Sequence, residues 1–169
     1  RMSLNEQELY GGHFTIELIN GSENYVDAST IREVPDNQEV FVGKNDDTSI
    51  LIDLLERVPE NDLIKAMEYH LEDILYDLNK SAIKPSDEVI HKDVVKNDIV
   101  YHRLSIVAND ECRDMYFALI RLEEFETDII ITYNLPSAHK LDIDEHDKNL
   151  DTFVTMVKSF TLKDKSIFG

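Results

Sequence analysis

The run Ser49-Ile50-Leu51-Ile52-Asp53-Leu54-Leu55-Glu56-Arg57-Val58 decides how this chain is built. Its apolar side chains fall at odd and even positions alike. A strand made from it buries both faces, and both faces then need cover. The stretch Asp128-Ile129-Ile130-Ile131-Thr132-Tyr133-Asn134-Leu135 reads the same way. Around these two, strands are expected at 13–18, 39–42, 89–95, 99–107 and 115–124, with tight links at Asn97-Asp98 and Glu126-Thr127. The last four strands in sequence follow one another too closely for parallel crossovers, which need about a dozen residues, so they must run antiparallel. Cover comes from two amphipathic helices. Over 61–78, Leu63, Ile64, Met67, Leu71, Ile74, Leu75 and Leu78 recur at three- and four-residue steps. Pro59 is kept outside, Asn61 reads as the N-cap, and Asp62 falls in the first turn. Over 148–160, Leu150, Phe153, Val154, Val157 and Phe160 share one side. The expected fold is α+β, an antiparallel sheet of about six strands flanked by helices on both faces. The polar, acid-rich stretch 137–149 reads as a mobile surface loop.

With 169 residues, 42% of them hydrophobic and 31% charged, the chain is long enough for one self-supporting core. No apolar run approaches the roughly 18 residues of a membrane span, and the first residues lack a signal-peptide layout. Arg1 precedes Met2 and is set aside as a residue added in expression, which leaves 2–169 as a single expected domain. Cys112 is the only cysteine, so no internal disulfide forms, as in cytosolic or nuclear proteins. The sequon Asn20-Gly21-Ser22 reads as a plain turn. Seventeen basic against 35 acidic side chains give a net charge of −18. Such a field repels nucleic acid and anionic membranes and speeds encounter with a basic protein face.

Catalytic signatures are lacking: no glycine-rich phosphate loop, no Gly-x-Ser-x-Gly elbow, no His-Glu-x-x-His. Gly11-Gly12 reads as a tight bend before a strand. The six histidines, His13, His70, His91, His102, His139 and His146, are scattered. His139 and His146 lie near Asp142, Asp144 and Asp147, but without the glycine and terminal glutamate of a calcium loop. Acidic neighbours at Asp110, Glu111 and Asp114 make Cys112 a poor nucleophile. Neither metal, cofactor nor catalytic residue is therefore expected.

Two features call for a binding role. Residues 25–42 gather polar groups around a Pro35-Asp36-Asn37 turn. Asp27, followed by Ala28-Ser29-Thr30, reads as the cap of a single turn that holds Arg32 within reach of Asp36 or Glu39. Asp53 interrupts the apolar strand. Alternation sets it with Leu51 and Leu55, and sets Glu56 on the other face with Ile52 and Leu54, unless a bulge near Leu54–Leu55 brings both acids to one side. Each residue also has an ordinary structural role open to it, as a cap, a turn closer, a surface ion pair or a strand end reaching water.

The stretches Glu8-Leu9-Tyr10-Gly11-Gly12, Asp27 to Phe41 with Ile31-Arg32 and Val34-Pro35-Asp36-Asn37-Gln38-Glu39-Val40, and Ile50 to Glu56 closely resemble the Mog family. These nuclear-import factors bind the small GTPase Ran and promote release of its nucleotide. Phe117-Ala118-Leu119-Ile120-Arg121-Leu122, Thr127 to Thr132 and the closing Asp164-Lys165-Ser166-Ile167-Phe168 are similar to later family segments. The likeness is specific over 8–56 and 117–136 and weaker over 79–115 and 137–149, and the link 43–47 is short beside many members. The resemblance implies a Mog/PsbP-like sandwich, related to the photosystem P-protein of the oxygen-evolving complex. It further implies a Ran-contacting surface made of Asp27, Arg32, Asp36, Glu39, Asp53 and Glu56. It points to a monomer of nucleus and cytoplasm that acts by binding, with other Ran-pathway proteins as further partners. Two readings stand beside it: an acidic module on the same fold that binds another basic partner without releasing nucleotide, and an enzyme with His70 or His102 as base.

Overall fold

The structure, a computed structural model, describes residues 5–79, 84–93, 99–108, 111–137 and 143–169. Among these described residues, ten strands and two α-helices follow in the order β1 (Gln7–Leu9), β2 (Phe14–Ile16), β3 (Tyr25–Asp27), β4 (Gln38–Gly43), β5 (Ser49–Glu56), α1 (Leu63–Asn79), β6 (Lys84–Asp93), β7 (Ile99–Ala108), β8 (Glu111–Leu122), β9 (Thr127–Ser137), α2 (Ile143–Ser159) and β10 (Thr161–Leu162). The main sheet has seven strands in the order β3-β4-β5-β9-β8-β7-β6. Every neighbouring pair in it is antiparallel, as the short connections require for β6 to β9, and β5 meets β9 antiparallel although α1 and β6–β8 lie between them in sequence.

Strand β5 lies between β4 and β9 and is covered on both sides. On one face Ile50, Ile52, Ile129, Ile131, Tyr116 and Tyr101 pack against Phe153, Met156 and Val157 of α2. On the other, Ile130, Phe117, Leu119 and Val100 pack against Ala66, Met67 and Leu71 of α1. Of the stripes read in the sequence, Leu63, Ile64, Met67, Leu71 and Ile74 of α1 and Leu150, Phe153, Val154 and Val157 of α2 pack into the core, and the side chains of Leu75 and Leu78 lie outside the described residues.

Three expectations change. The segment 13–18 does not join the main sheet: β2 pairs with β1 and β10 in a separate three-stranded sheet on the α2 side. Asp62, not Asn61, caps α1, its Oδ1 accepting the Ile64 and Lys65 N–H groups at 2.9 and 3.0 Å. The Asn61 side-chain oxygen Oδ1, which would do the capping, instead accepts from Arg57 Nη2 at 2.7 Å. Helix α2 begins at Ile143, so residues 143–149, read as loop, are helical. The acidic character that marked them as loop suits a first helical turn, where Glu145 meets the positive end of the helix dipole. The link at Asn97-Asp98, His139, Asp142 and the side chains of His91 and Cys112 lie outside the described residues.

The Gly11-Gly12 bend is real and includes its neighbour. Tyr10, Gly11 and Gly12 all have positive φ, 51°, 68° and 90°. Three consecutive residues of this hand reverse the chain between β1 and β2, and two glycines remove most of the steric cost. The sequon Asn20-Gly21-Ser22 likewise makes a turn, with Asn20 and Gly21 at φ 66° and 93° and the Gly21 N–H on Leu18 O at 2.9 Å.

Candidate functional site

Antiparallel pairing brings the end of β3, the start of β4 and the end of β5 to one end of the main sheet. Asp27, Glu39, Asp53 and Glu56 stand there, and residues 28–37 with Arg32 and Asp36 loop between β3 and β4. Asp27 caps the turn Ala28–Thr30: its Oδ1 accepts the Ser29 N–H at 2.9 Å, and Thr30 Oγ1 donates to Asp27 O at 2.7 Å. The Ile31 and Arg32 N–H groups both close on Ala28 O, at 3.1 and 3.0 Å. The loop is thus held by local bonds, as its sequence implied.

Arg32 departs from expectation. Its side chain is exposed and forms no ion pair among the described residues. Glu39 turns instead toward the N-terminal bend, where its Oε1 accepts the Tyr10 N–H at 2.7 Å. The Tyr10 hydroxyl donates within reach of Asn37 O and Ile52 O, at 2.9 and 2.8 Å, and so fastens the bend to the start of β4 and the end of β5. The left-handed turn of Tyr10 and the reach of its ring hold this stretch against the Pro35-Asp36-Asn37 turn.

The six acid and arginine positions share an end of the sheet but not a face. The β5–β9 register runs without a shift from Ser49↔Asn134 to Glu56↔Thr127, so no bulge intervenes at Leu54 or Leu55. Asp53 therefore lies on the α1 face and Glu56 on the α2 face. Glu39, paired with Ile52, and Asp27, paired with Phe41, fall on the α2 face with Glu56. Asp53 pairs with Gln38, whose amide donates to its Oδ1 at 2.8 Å.

Electrostatically the half-buried acids are held uneasily. Asp53 titrates above its ordinary value because burial opposes its charge, and the Gln38 hydrogen bond and His70 only partly offset this. Glu39 is raised by burial as well, against the pull of the Tyr10 N–H, and the charge of Asp27 adds to the rise. The Tyr10 hydroxyl is pushed up, first by burial and then by Asp53 and Glu39. Asp36 and Glu56 are exposed.

One constellation near the site had no place in the sequence reading. On the α1 face Asp128 is fully buried, and its Oδ1 and Oδ2 accept Arg121 Nε and Nη2 at 2.7 and 3.0 Å. The His70 ring meets Oδ2 at 2.7 Å and the Val58 N–H reaches it at 3.1 Å. Arg121 also donates to the Glu60 and Val58 carbonyls. The network ties the segment entering α1 to strands β8 and β9. It occupies His70, which is only 5% exposed, so this histidine is a structural partner and not a base open to substrate. His102 is likewise buried, on β7.

Residues 7–136 match the family model described as Ran-interacting Mog1 protein. The chain is 34% identical to the nuclear import protein MOG1 of Saccharomyces cerevisiae, with 99% of this chain and 86% of that one aligned. It is 28% identical to the Ran guanine nucleotide release factor of Homo sapiens, with 95% of each chain aligned. The crystal structure of the Saccharomyces cerevisiae Ran-binding protein Mog1p superposes with a TM-score of 0.72 at 32% identity, covering 99% of this chain and 100% of that one. The two-faced sheet, the Tyr10 bend and the acid-bearing sheet end are thus the features of a chain that belongs to the Mog1 family.

Proposed function

We propose that this protein binds the small GTPase Ran through the acid-bearing end of its sheet, promotes release of Ran's guanine nucleotide, and so serves nuclear protein import. The observation that carries the reading is a set of carboxylates gathered at one place and left largely uncompensated. Asp53 and Glu39 are half-buried and each has one described hydrogen bond, while Asp36 and Glu56 face solvent without an ion pair among the described residues. Relatives named for Ran and for nuclear import support the partner.

Ran holds a triphosphate and its Mg²⁺ with basic groups and backbone amides. A surface bearing Asp27, Asp36, Glu39, Asp53 and Glu56 competes for those basic groups and favours the empty form, and Arg32 reaches an acid of the partner. Release requires that this chain bind empty Ran more tightly than loaded Ran, since a ligand shifts an equilibrium only by its differential affinity. No bond in the partner is made or broken, so the role is one of binding, carried by residues 2–169 as a monomeric unit in nucleus and cytoplasm. Because Asp53 and Glu56 face opposite ways, the partner must wrap the end of β5 and not lie flat on one face.

The test is release of a fluorescent guanine nucleotide from Ran. The protein should accelerate release, and Asp53→Lys with Glu56→Lys should abolish most of the acceleration, with charge pairs of this kind worth about 1.5–7 kcal/mol at an interface. Equal release with and without the double charge reversal would remove these two acids from the mechanism.

A further inference from the structure

The C-terminal segment singled out in the sequence is built into the same end of the molecule. The Lys163 and Asp164 N–H groups donate to His13 O at 2.8 and 3.1 Å. Asp164 caps the turn Lys165–Phe168 by accepting the Ser166 N–H at 2.9 Å. This carries Phe168 onto Phe125, ring on ring, with centroids 4.3 Å apart and planes 9° from parallel. Between that pair and the end of β5 lies an open cleft of about 750 Å³, whose walls include Leu54, Leu55, Phe125 and Phe168.

Two carboxylates stand on this cleft, Glu56 and Glu126, and neither forms an ion pair among the described residues. The cation at the rim, Arg57, is already engaged, with Nε on Glu123 at 3.0 Å and Nη2 on Asn61 at 2.7 Å. Glu126 is fixed in place by its left-handed backbone, φ 49°, and by the Arg57 N–H on its carbonyl at 2.9 Å. An aromatic and aliphatic lining with two carboxylates outside any described ion pair, Arg57 acting on Glu126 only at longer range, matches a long side chain with an apolar stem and a positive head.

We propose that this cleft receives an arginine or lysine side chain of the partner GTPase. The positive head would sit between Glu56 and Glu126, and the stem or guanidinium plane would lie along Phe125 and Phe168. The inference rests on the Ran reading for the identity of the partner and extends it: the docking surface continues from β5 across to the C-terminal turn, with Glu126 and Phe168 as contact residues.

Two arms test it on the full chain. In the first, binding of nucleotide-free Ran is measured for wild type, Glu126→Gln and Phe168→Leu. Glu126→Gln keeps the backbone and removes the charge, and Phe168→Leu keeps apolar bulk and removes the ring. Each should weaken binding about fivefold to tenfold, and Glu126→Gln should also flatten its salt dependence. Unchanged affinity in both variants, with wild type binding Ran, overturns the cleft and leaves the Ran reading standing. In the second arm, which decides where wild type fails to bind Ran, an acetylated Gly-Arg-Gly amide is titrated into isotope-labelled protein against its citrulline counterpart. Amide shifts at Glu56, Glu126 and Phe168 with arginine alone support a cation site and sink only the partner. Equal or absent shifts overturn both.

Discussion

Asp53 and Asp128 sit on the same face of the sheet, on adjacent strands and two register positions apart, yet the fold treats them in opposite ways. Asp128 pairs across β5–β9 with Leu55, and Asp53 with Ile130. Asp128 receives a guanidinium, an imidazole and a backbone N–H and is fully buried. Asp53 receives one neutral amide and stays partly open. Burial opposes the charge of both, but around Asp128 the Arg121 fork, His70 and the Val58 N–H outweigh it and hold the carboxyl down at about 2. At Asp53 burial wins and the carboxyl is raised. The contrast separates a charge that the fold has used for its own architecture from one that it leaves half-buried with a single neutral partner.

The strongest way to break the contrast is to remove compensation from the first carboxylate. Arg121→Met strands Asp128 in the core and should cost about 3–5 kcal/mol of stability, read as a lowered midpoint in urea unfolding. Adding Asp128→Leu should recover part of that loss by removing the stranded charge, although the His70 ring and the Val58 N–H then lose their acceptor. If the double variant is no more stable than the single one, the network does more than neutralise a buried charge.

Tyr10→Phe probes the link between the N-terminal bend and the site. It deletes the hydroxyl that serves the Asn37 and Ile52 carbonyls and should cost about 1–2 kcal/mol, with nucleotide release from Ran reduced through a looser turn at residues 35–37. Unfolding and release measured on the same preparation separate the two effects. A stability loss with unchanged release would mean that the bend supports the fold alone.

Acid titration should show the two carboxylates moving in opposite directions. The folded pKa of Asp128 lies below its unfolded value, so its stabilisation is present above about 4 and is lost as pH falls toward about 2. Asp53 and Glu39 have folded values above their unfolded ones. Their destabilising contribution is present at neutral pH and is relieved as pH falls through those raised values. Stability against pH should therefore hold or rise slightly on mild acidification and then fall. Ran binding should weaken in the mild range, where the site begins to lose charge while the core network is still intact.

The sequence carried one of these carboxylates and not the other for a definite reason. Asp53 stands out because it interrupts an apolar run on both sides, and the bulk of the fold followed from that run and from the helical stripes. Asp128 begins an apolar run, which looks like an ordinary strand start. Its partners are hidden by register: a two-residue link at Glu126-Thr127 would set Phe125 opposite Asp128. The turn Glu123–Phe125 instead makes Leu122 and Thr127 the first pair and brings Arg121 opposite Asp128. His70 arrives from 58 residues away, and no local pattern could announce it. Arg32 failed in the opposite sense. Proximity along the chain placed it beside Glu39, but the Tyr10 N–H, 29 residues away, holds that carboxylate.

The smallest effect is the most diagnostic. Asp53→Asn retains an acceptor for the Gln38 amide and removes a charge that burial disfavours. The variant should be more stable than wild type at pH 7, by up to about 1 kcal/mol after allowance for partial exposure. It should also lose part of its effect on Ran. Gain of stability with loss of binding is the signature of a residue kept for a partner against the interest of the fold. Asp128 cannot give that signature, since Asp128→Asn weakens the Arg121 fork and lowers stability. If Asp53→Asn proves destabilising as well, Asp53 is a second structural carboxylate, and the docking surface contracts to Asp27, Asp36, Glu39 and Glu56, with Arg32, around the α2 face.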